Sequence, residues 1–336
     1  MKNNKNLFII LGVALVVVVF ASYFIITGLP SKNSKLIDLT FPISWFHGPQ
    51  YAYVYVTIDK GFFAEEGLNV TITENQGSAI TSQLIASGQV PIGMVGADIA
   101  MIARSKGLPL TVVAVADKVN PSGITCFASA NVTKPKDLEG KKLGVTITSN
   151  SYQSYLAFAK EVNLDLSKIE EIPIGGAGLE WLAGKTDCQV LYPFLSESAA
   201  EIKGFNVTSL YFTDYGITMY NQAVVANSNV LKDNPELIHK VARALSKGIA
   251  YERAHPDEAL AISFKLNPLI LSKTDYHTKI FEKRMAMDKK LSDPSTAGDA
   301  TQDKNVWLQT KDTLNNLKLL QDDVNVDELF TNKFIK

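Results

Sequence analysis

Apolar runs bounded by turn residues alternate with helical patterns along most of the chain. LIDLTFP, Leu36 to Pro42, reads as a strand, and YAYVYVTIDKGFF reads as a helix ending at Gly61. LNVTI is a strand, Ser78 to Ser87 a helix stopped by Gly88, and VPIGMVG a strand. Asp98 to Lys106 is a helix stopped by Gly107, and LTVVAVA follows as a strand. This β-α-β-α-β-α-β series predicts an α/β domain with a largely parallel sheet. A second series follows NVTKPKDLEGKK: strand LGVTI, helix Tyr152 to Asn163, strand IEEIPIG, a short helix Leu179 to Ala183, strand CQVLYP, helix Ser196 to Lys203, then NVTSLYF. An apolar run at Gln222 to Asn227 comes next, and beyond Asn234-Pro235 the pattern is mainly helical. Two α/β lobes followed by a helical C-terminal region are expected.

The apolar residues are not evenly spread. Leu7 to Leu29 is a run of 23 residues without a charge, long enough as a helix to cross a hydrocarbon core of about 30 Å. Lys2 and Lys5 precede it, so the positive-inside bias holds the N-terminus in the cytoplasm and sends the remainder outside. The run exceeds the apolar core of an ordinary signal peptide, and no small-x-small site closes it. Residues 1–30 are therefore read as a single-pass membrane anchor, with a cleaved signal and a secreted product as the alternative. Residues 31–35 form a polar tether to an extracytoplasmic module.

Composition narrows the function classes. The 33 Lys and Arg balance 34 Asp and Glu for a net charge of -1, so there is no basic excess for nucleic acid. Four histidines, His47, His239, His255 and His277, are too dispersed for a local metal site, and no cofactor is implied. Cys126 and Cys188 each sit in an apolar run and read as buried free thiols, with a disulfide as the alternative. The Asn-Val-Thr sequons at Asn69, Asn131 and Asn206 are compatible with export.

Catalytic signatures are missing. GAGLEWLAGKTD would need glycine at position 179 to make a phosphate loop, and its Gly-Lys-Thr closes a helix instead of opening one. There is no G-x-S-x-G elbow. The chain is expected not to be an enzyme.

The motif order resembles the solute-binding proteins of ABC importers for nitrate, sulfonates, taurine and thiamine-pyrimidine precursors. DKGFFAEEGLNVTI (Asp59 to Ile72) is similar to that family's helix–turn–strand signature. It is followed in register by IASGQVPIGMVGADIAMIARSKGLPLTVVA, KPKDLEGKKLGV, NPELIHKVARALSKGIAYERAHPDEAL and the ending VNVDELFTNKFI. The resemblance covers residues 36 to 336. It implies a type II periplasmic-binding-protein fold: residues 36–126 plus 222–336 as lobe 1, residues 127–221 as lobe 2, and a hinge of crossing strands with the ligand in the interlobe cleft. It also implies an ABC permease and an ATPase on separate chains as partners.

Candidate ligand contacts lie in loops that leave strands and at helix N-termini. After the first strand come Ser44, Trp45, His47 and Tyr51. Trp45 falls on the tryptophan of the pyrimidine-precursor branch, where an indole is a platform for an aromatic ring; Tyr51 falls on that branch's histidine position. Glu197 in YPFLSE and Asp214-Tyr215 also resemble branch positions, and a carboxylate at Glu197 suits an amino-pyrimidine. Gly77, Ser78, Thr148, Ser149 and Asn150 instead suit an oxyanion at helix N-termini, as in the sulfonate, taurine and nitrate branches. A thiamine-pyrimidine precursor is the preferred ligand. Two other classes remain: a sensor ectodomain, and an enzyme like the yeast-type pyrimidine synthase. The cofactor-linked lysine of that enzyme would fall at Val95 and its histidine at Ile99, which removes the amine needed for a Schiff base.

Overall fold

LTVVAV and QAVVAN are buried at every position and lie side by side in one sheet, as expected of runs covered on both faces. The structure is a computed structural model that describes residues 35–176, 178–217, 219–291 and 299–335. The segment Leu7 to Leu29 lies outside the described residues; among the described residues no helix is long and apolar enough to cross a membrane. The strands are β1 Ile37–Pro42, β2 Leu68–Thr73, β3 Ile92–Gly96, β4 Leu110–Val115, β5 Gly123–Phe127, β6 Lys142–Val145, β7 Glu170–Pro173, β8 Cys188–Leu191, β9 Val207–Tyr211 and β10 Gln222–Asn227. Helices of eight residues or more are α1 Ala52–Asp59, α2 Ser78–Ala86, α3 Ala97–Ser105, α4 Asn150–Glu161, α5 Pro193–Ile202, α6 Pro235–Ala254, α7 Pro256–Leu266, α8 Thr274–Leu291 and α9 Lys304–Asn316.

The first lobe holds a β1–β2 pair and a three-stranded sheet in the order β3-β10-β4. Pro42, which has no N–H for a ladder bond, ends β1 directly over Gly93 of β3: a Cβ on Gly93 would sit 2.6 Å from Pro42 Cγ. The second lobe holds a five-stranded sheet, β7-β6-β8-β5-β9. The expectation of largely parallel pairing is corrected by the returning strands: β10 is antiparallel to both β3 and β4, and β5 is antiparallel to both β8 and β9. β6 pairs in parallel with β7 and β8. A chain that leaves a lobe and comes back must return against the direction of its neighbours, and apolar alternation does not record that direction.

β5 also moves the lobe boundary. The family resemblance implies that residues through Cys126 belong to the first lobe, whereas Gly123–Phe127 is the fourth strand of the five-stranded sheet. The same register corrects the cysteine expectation. β5 and β8 place Cys126 opposite Cys188 with Cα atoms 4.0 Å apart, and the two are joined in a disulfide.

The core has three parts. One lies between the first sheet and α1, α6 and α7, another between that sheet's other face and α3 and α9, and the third within the second lobe. α8 spans the two lobes. It packs on α5 and on the short turn Pro49–Tyr51, with Lys279 paired to Glu201 at 2.5 Å on one side and Arg284 to Glu252 at 2.7 Å on the other.

Candidate ligand-binding cleft

Among the described residues two chain crossings join the sheets, residues 116–122 between β4 and β5 and residues 212–217 and 219–221 between β9 and β10. They bond to each other: Asn120 N–H donates to Met219 O at 2.8 Å and Asn221 N–H to Asp117 O at 3.0 Å. Beside these crossings, elements from both lobes converge. The loop after β1 brings Ser44, Trp45, Gln50 and Tyr51; α2 brings Gly77 and Ser78; α4 brings Ser149, Asn150 and Ser151; the end of β8 brings Leu191 and Tyr192; Gln222 opens β10. With Leu195 of α5 they enclose a cavity of about 30 Å³.

Each polar wall is held by a specific bond. Ser44 Oγ donates to Gln222 Oε1 at 3.0 Å and lies 3.3 Å from the Tyr51 hydroxyl. Asn150 Nδ2 donates to Asn221 Oδ1 of the crossing segment at 3.0 Å and to the Tyr192 hydroxyl at 2.9 Å. The Tyr192 hydroxyl in turn donates to Asn221 Oδ1 at 2.5 Å. Asn221 Nδ2 donates to Asp117 Oδ2 at 3.1 Å, and Asp117 meets the buried Arg284 at 3.2 Å. A continuous polar chain therefore runs from the cavity wall through the crossing strand to the Arg284–Glu252 pair. Burial pushes both the Tyr51 and Tyr192 phenols well above their ordinary range, so they are neutral. Burial also raises the Asp117 carboxyl, to about 6, against the opposing pull of Arg284.

The α2 and α4 N-termini are set by local chemistry. Gly77 takes φ 123°, a region costly for a side chain, and its backbone abuts Thr148: a Cβ there would sit 3.0 Å from Thr148 O. Ser149 caps α4 by accepting the Tyr152 N–H at 3.3 Å. Just behind, a Cβ on Gly96 would lie 2.9 Å from Asn150 Cβ, 3.0 Å from Asp98 Oδ1 and 3.1 Å from Ser78 Oγ, so the lobes are in contact here.

The residues singled out in the sequence divide by position. Trp45, Tyr51, Gly77, Ser78, Ser149 and Asn150 are brought together around the cavity. His47 stands outside it, in a larger chamber of about 820 Å³ that shares Trp45 with the inner space. There His47 Nδ1 lies 2.7 Å from the Tyr55 hydroxyl, and burial lowers its pKa against the opposing charge of Glu74. Thr148 lies behind Gly77 and faces a separate surface groove. Glu197 is on α5 away from the cavity wall, accepting from the Tyr211 hydroxyl at 3.1 Å and facing Lys283 at 3.7 Å. Asp214 and Tyr215 lie in the turn Phe212–Tyr215, where Asp214 is exposed and the Tyr215 ring packs 5.1 Å from Phe158.

Gln50, Tyr192 and Gln222 carry much of the polar wall, braced by Asn221, and none of the four is among the residues that the sequence singles out. The polar pair Asn221-Gln222 at the start of an otherwise apolar strand is the available signal. Among the described residues no group of three or more His, Cys, Asp or Glu is placed to hold a metal ion.

Two lobes joined by crossing strands around such a cleft define the class: the fold is that of the periplasmic binding proteins. The periplasmic aliphatic sulphonate binding protein SsuA of Escherichia coli has the same fold, with a TM-score of 0.67 over 87% of this chain and 91% of that chain at 16% identity. The chain belongs to the NMT1/THI5-like family, whose model matches residues 48–259. It is 26% identical over 244 residues to the formylaminopyrimidine-binding protein of Halalkalibacterium halodurans, covering 70% of this chain and 72% of that one. It is 23% identical over 260 residues to a 4-amino-5-hydroxymethyl-2-methylpyrimidine phosphate synthase of Candida albicans, covering 73% and 75%. The riboflavin-binding protein RibY of Chloroflexus aurantiacus is 24% identical over 322 residues, covering 92% and 90%.

Proposed function

We propose that this protein is the extracytoplasmic solute-binding component of an ABC importer, and that it captures a neutral nitrogen heteroaromatic of the pyrimidine type in the interlobe cleft. It would hand that ligand to a permease and an ATPase on separate chains, held at the membrane by Leu7 to Leu29. One observation carries the ligand class. The cavity wall presents three aromatic rings, Trp45, Tyr51 and Tyr192, and three amides, Gln50, Asn150 and Gln222, without a charged side chain. Rings stack on aromatic faces, amides pair with both the donors and the acceptors of a heterocycle, and a wall without a cation does little for an anion. Two relatives are named for heteroaromatic ligands, a formylaminopyrimidine and riboflavin, which supports the same class.

A binding role is favoured over the synthase chemistry of the fungal relative. The positions matching its lysine and histidine, Val95 and Ile99, are buried among apolar side chains of the first lobe, and no amine stands there to form a Schiff base. A sulfonate ligand is the second reading. It is favoured by two helix N-termini, at Ser78 and Asn150, that reach one cavity.

Thermal unfolding of the full chain in detergent separates these readings. Ligand at about 100 times its Kd stabilises by about 2.7 kcal/mol. An aminopyrimidine is expected to raise the Tm and ethanesulfonate to leave it unchanged; the reverse pattern would replace the first reading with the second.

A further inference from the structure

The inner cavity and the outer chamber differ greatly in size. The inner one holds about 30 Å³, on the scale of a single water, whereas the outer one holds about 820 Å³, within the range of small-molecule sites. They are not separate: Trp45, Gln50, Leu191 and Leu195 line both. The outer chamber receives walls from the loop after β1, from α5, from Gly176, Leu179 and Leu182, and from residues 271–280.

Those outer walls carry the charged Lys203, Lys273 and Asp275, yet they also expose large apolar side chains. Leu179 is 64% exposed, Leu271 49%, Ile202 45% and Phe46 37%, and all four face the same chamber. Four large apolar side chains gathered from four parts of the chain around one concave space mark a binding surface. The Trp45 indole stands where the two spaces meet, with the Phe46 ring edge-on at 5.5 Å.

We infer that the outer chamber is part of the ligand site, and that the ligand is a planar heteroaromatic of more than one ring. Its hydrogen-bonding edge meets Gln50, Asn150 and Gln222, and its apolar body lies past Trp45 against Leu179 and Ile202. This rests on the heteroaromatic reading above and extends it from a ring to a fused-ring ligand.

The test compares two probes on the full chain by titration calorimetry: 4-amino-5-hydroxymethyl-2-methylpyrimidine, a single ring, and riboflavin, with three fused rings. Riboflavin is expected to bind at least about tenfold more tightly. Leu179→Asp and Ile202→Asp alter exposed positions and should leave the Tm in place. Each is expected to weaken riboflavin about fivefold or more while leaving the single-ring Kd unchanged. Equal affinities, a single ring that binds while riboflavin does not, or variants that weaken both probes or neither would overturn the extended site and leave the heteroaromatic reading standing. Binding of ethanesulfonate with neither ring compound would overturn both.

Discussion

The Trp45 indole lies flush against the backbone of Gly176: a Cβ on Gly176 would come within 2.0 Å of Trp45 Cζ2. One residue belongs to the loop after β1 and the other to the turn after β7, so this contact closes the cleft from both lobes. Gly176→Ala is expected to displace the indole and hold the lobes apart. Trp181 and Trp307 are wholly buried, so a change in tryptophan emission reports on Trp45. A red shift in the variant, with a larger radius of gyration in solution scattering, is the predicted result; unchanged emission and scattering would contradict the contact.

Trp45 and Glu197 should separate on binding. Trp45 lines the cavity, whereas Glu197 is engaged with Tyr211 and Lys283 outside it. Trp45→Ala is expected to weaken the aminopyrimidine about tenfold or more with little change in Tm. Glu197→Gln is expected to change affinity by less than about threefold. Titration of both variants checks this, and a large loss at Glu197 alone would move the site.

The Cys126–Cys188 disulfide closes a loop with a sequence separation of 62. Chain entropy for a loop of that length corresponds to about 4 kcal/mol, within the span of about 2–5 kcal/mol that losing a native disulfide commonly costs. Reduction, or the Cys126→Ser/Cys188→Ser double variant, should lower the Tm by several degrees without altering the cleft. Identical unfolding curves with and without reductant would contradict the bond.

Asp98 predicts a pH dependence. It is wholly buried; its Oδ1 accepts the Ile99 N–H at 2.9 Å and its Oδ2 has no partner among the described residues. Burial pushes its carboxyl up from 3.8 to about 7. Between those values the folded state holds a proton that the unfolded state releases, so stability falls as pH rises through the window and levels off above it. Asp117, raised to about 6, acts in the same direction. Asp98→Asn is therefore expected to flatten the Tm profile between about pH 4 and pH 7 and to raise stability by about 1–4 kcal/mol at neutral pH. A variant profile parallel to the wild type would rule this out.

Much of the fold was legible because its strands are short apolar runs bounded by Gly, Pro and Asn, and LIDLTFP, LNVTI, LTVVAVA and QAVVAN all form strands close to the expected positions. Direction and partnership were not legible. The antiparallel return of β10 and the pairing of Cys126 with Cys188 depend on which strands meet, not on local pattern. The site divides in the same way. Trp45, Gly77, Ser78 and Asn150 stand at strand exits and helix starts that sequence punctuation reveals. Gln222 joins Ser44 across a separation of 178 residues, and Tyr192, carried in by the end of β8, is tied to Asn221 of the distant crossing segment. Glu197 matches a family position by spacing, yet the turn of α5 carries it toward Tyr211 and Lys283.

A crystal structure of the full chain with saturating 4-amino-5-hydroxymethyl-2-methylpyrimidine tests the central claim most directly. The account predicts the ring in the interlobe cleft, stacked on Trp45 and within hydrogen-bond distance of Asn150 or Gln222. A ring bound elsewhere on the molecule, or a cleft without density for it at saturation, would contradict the account.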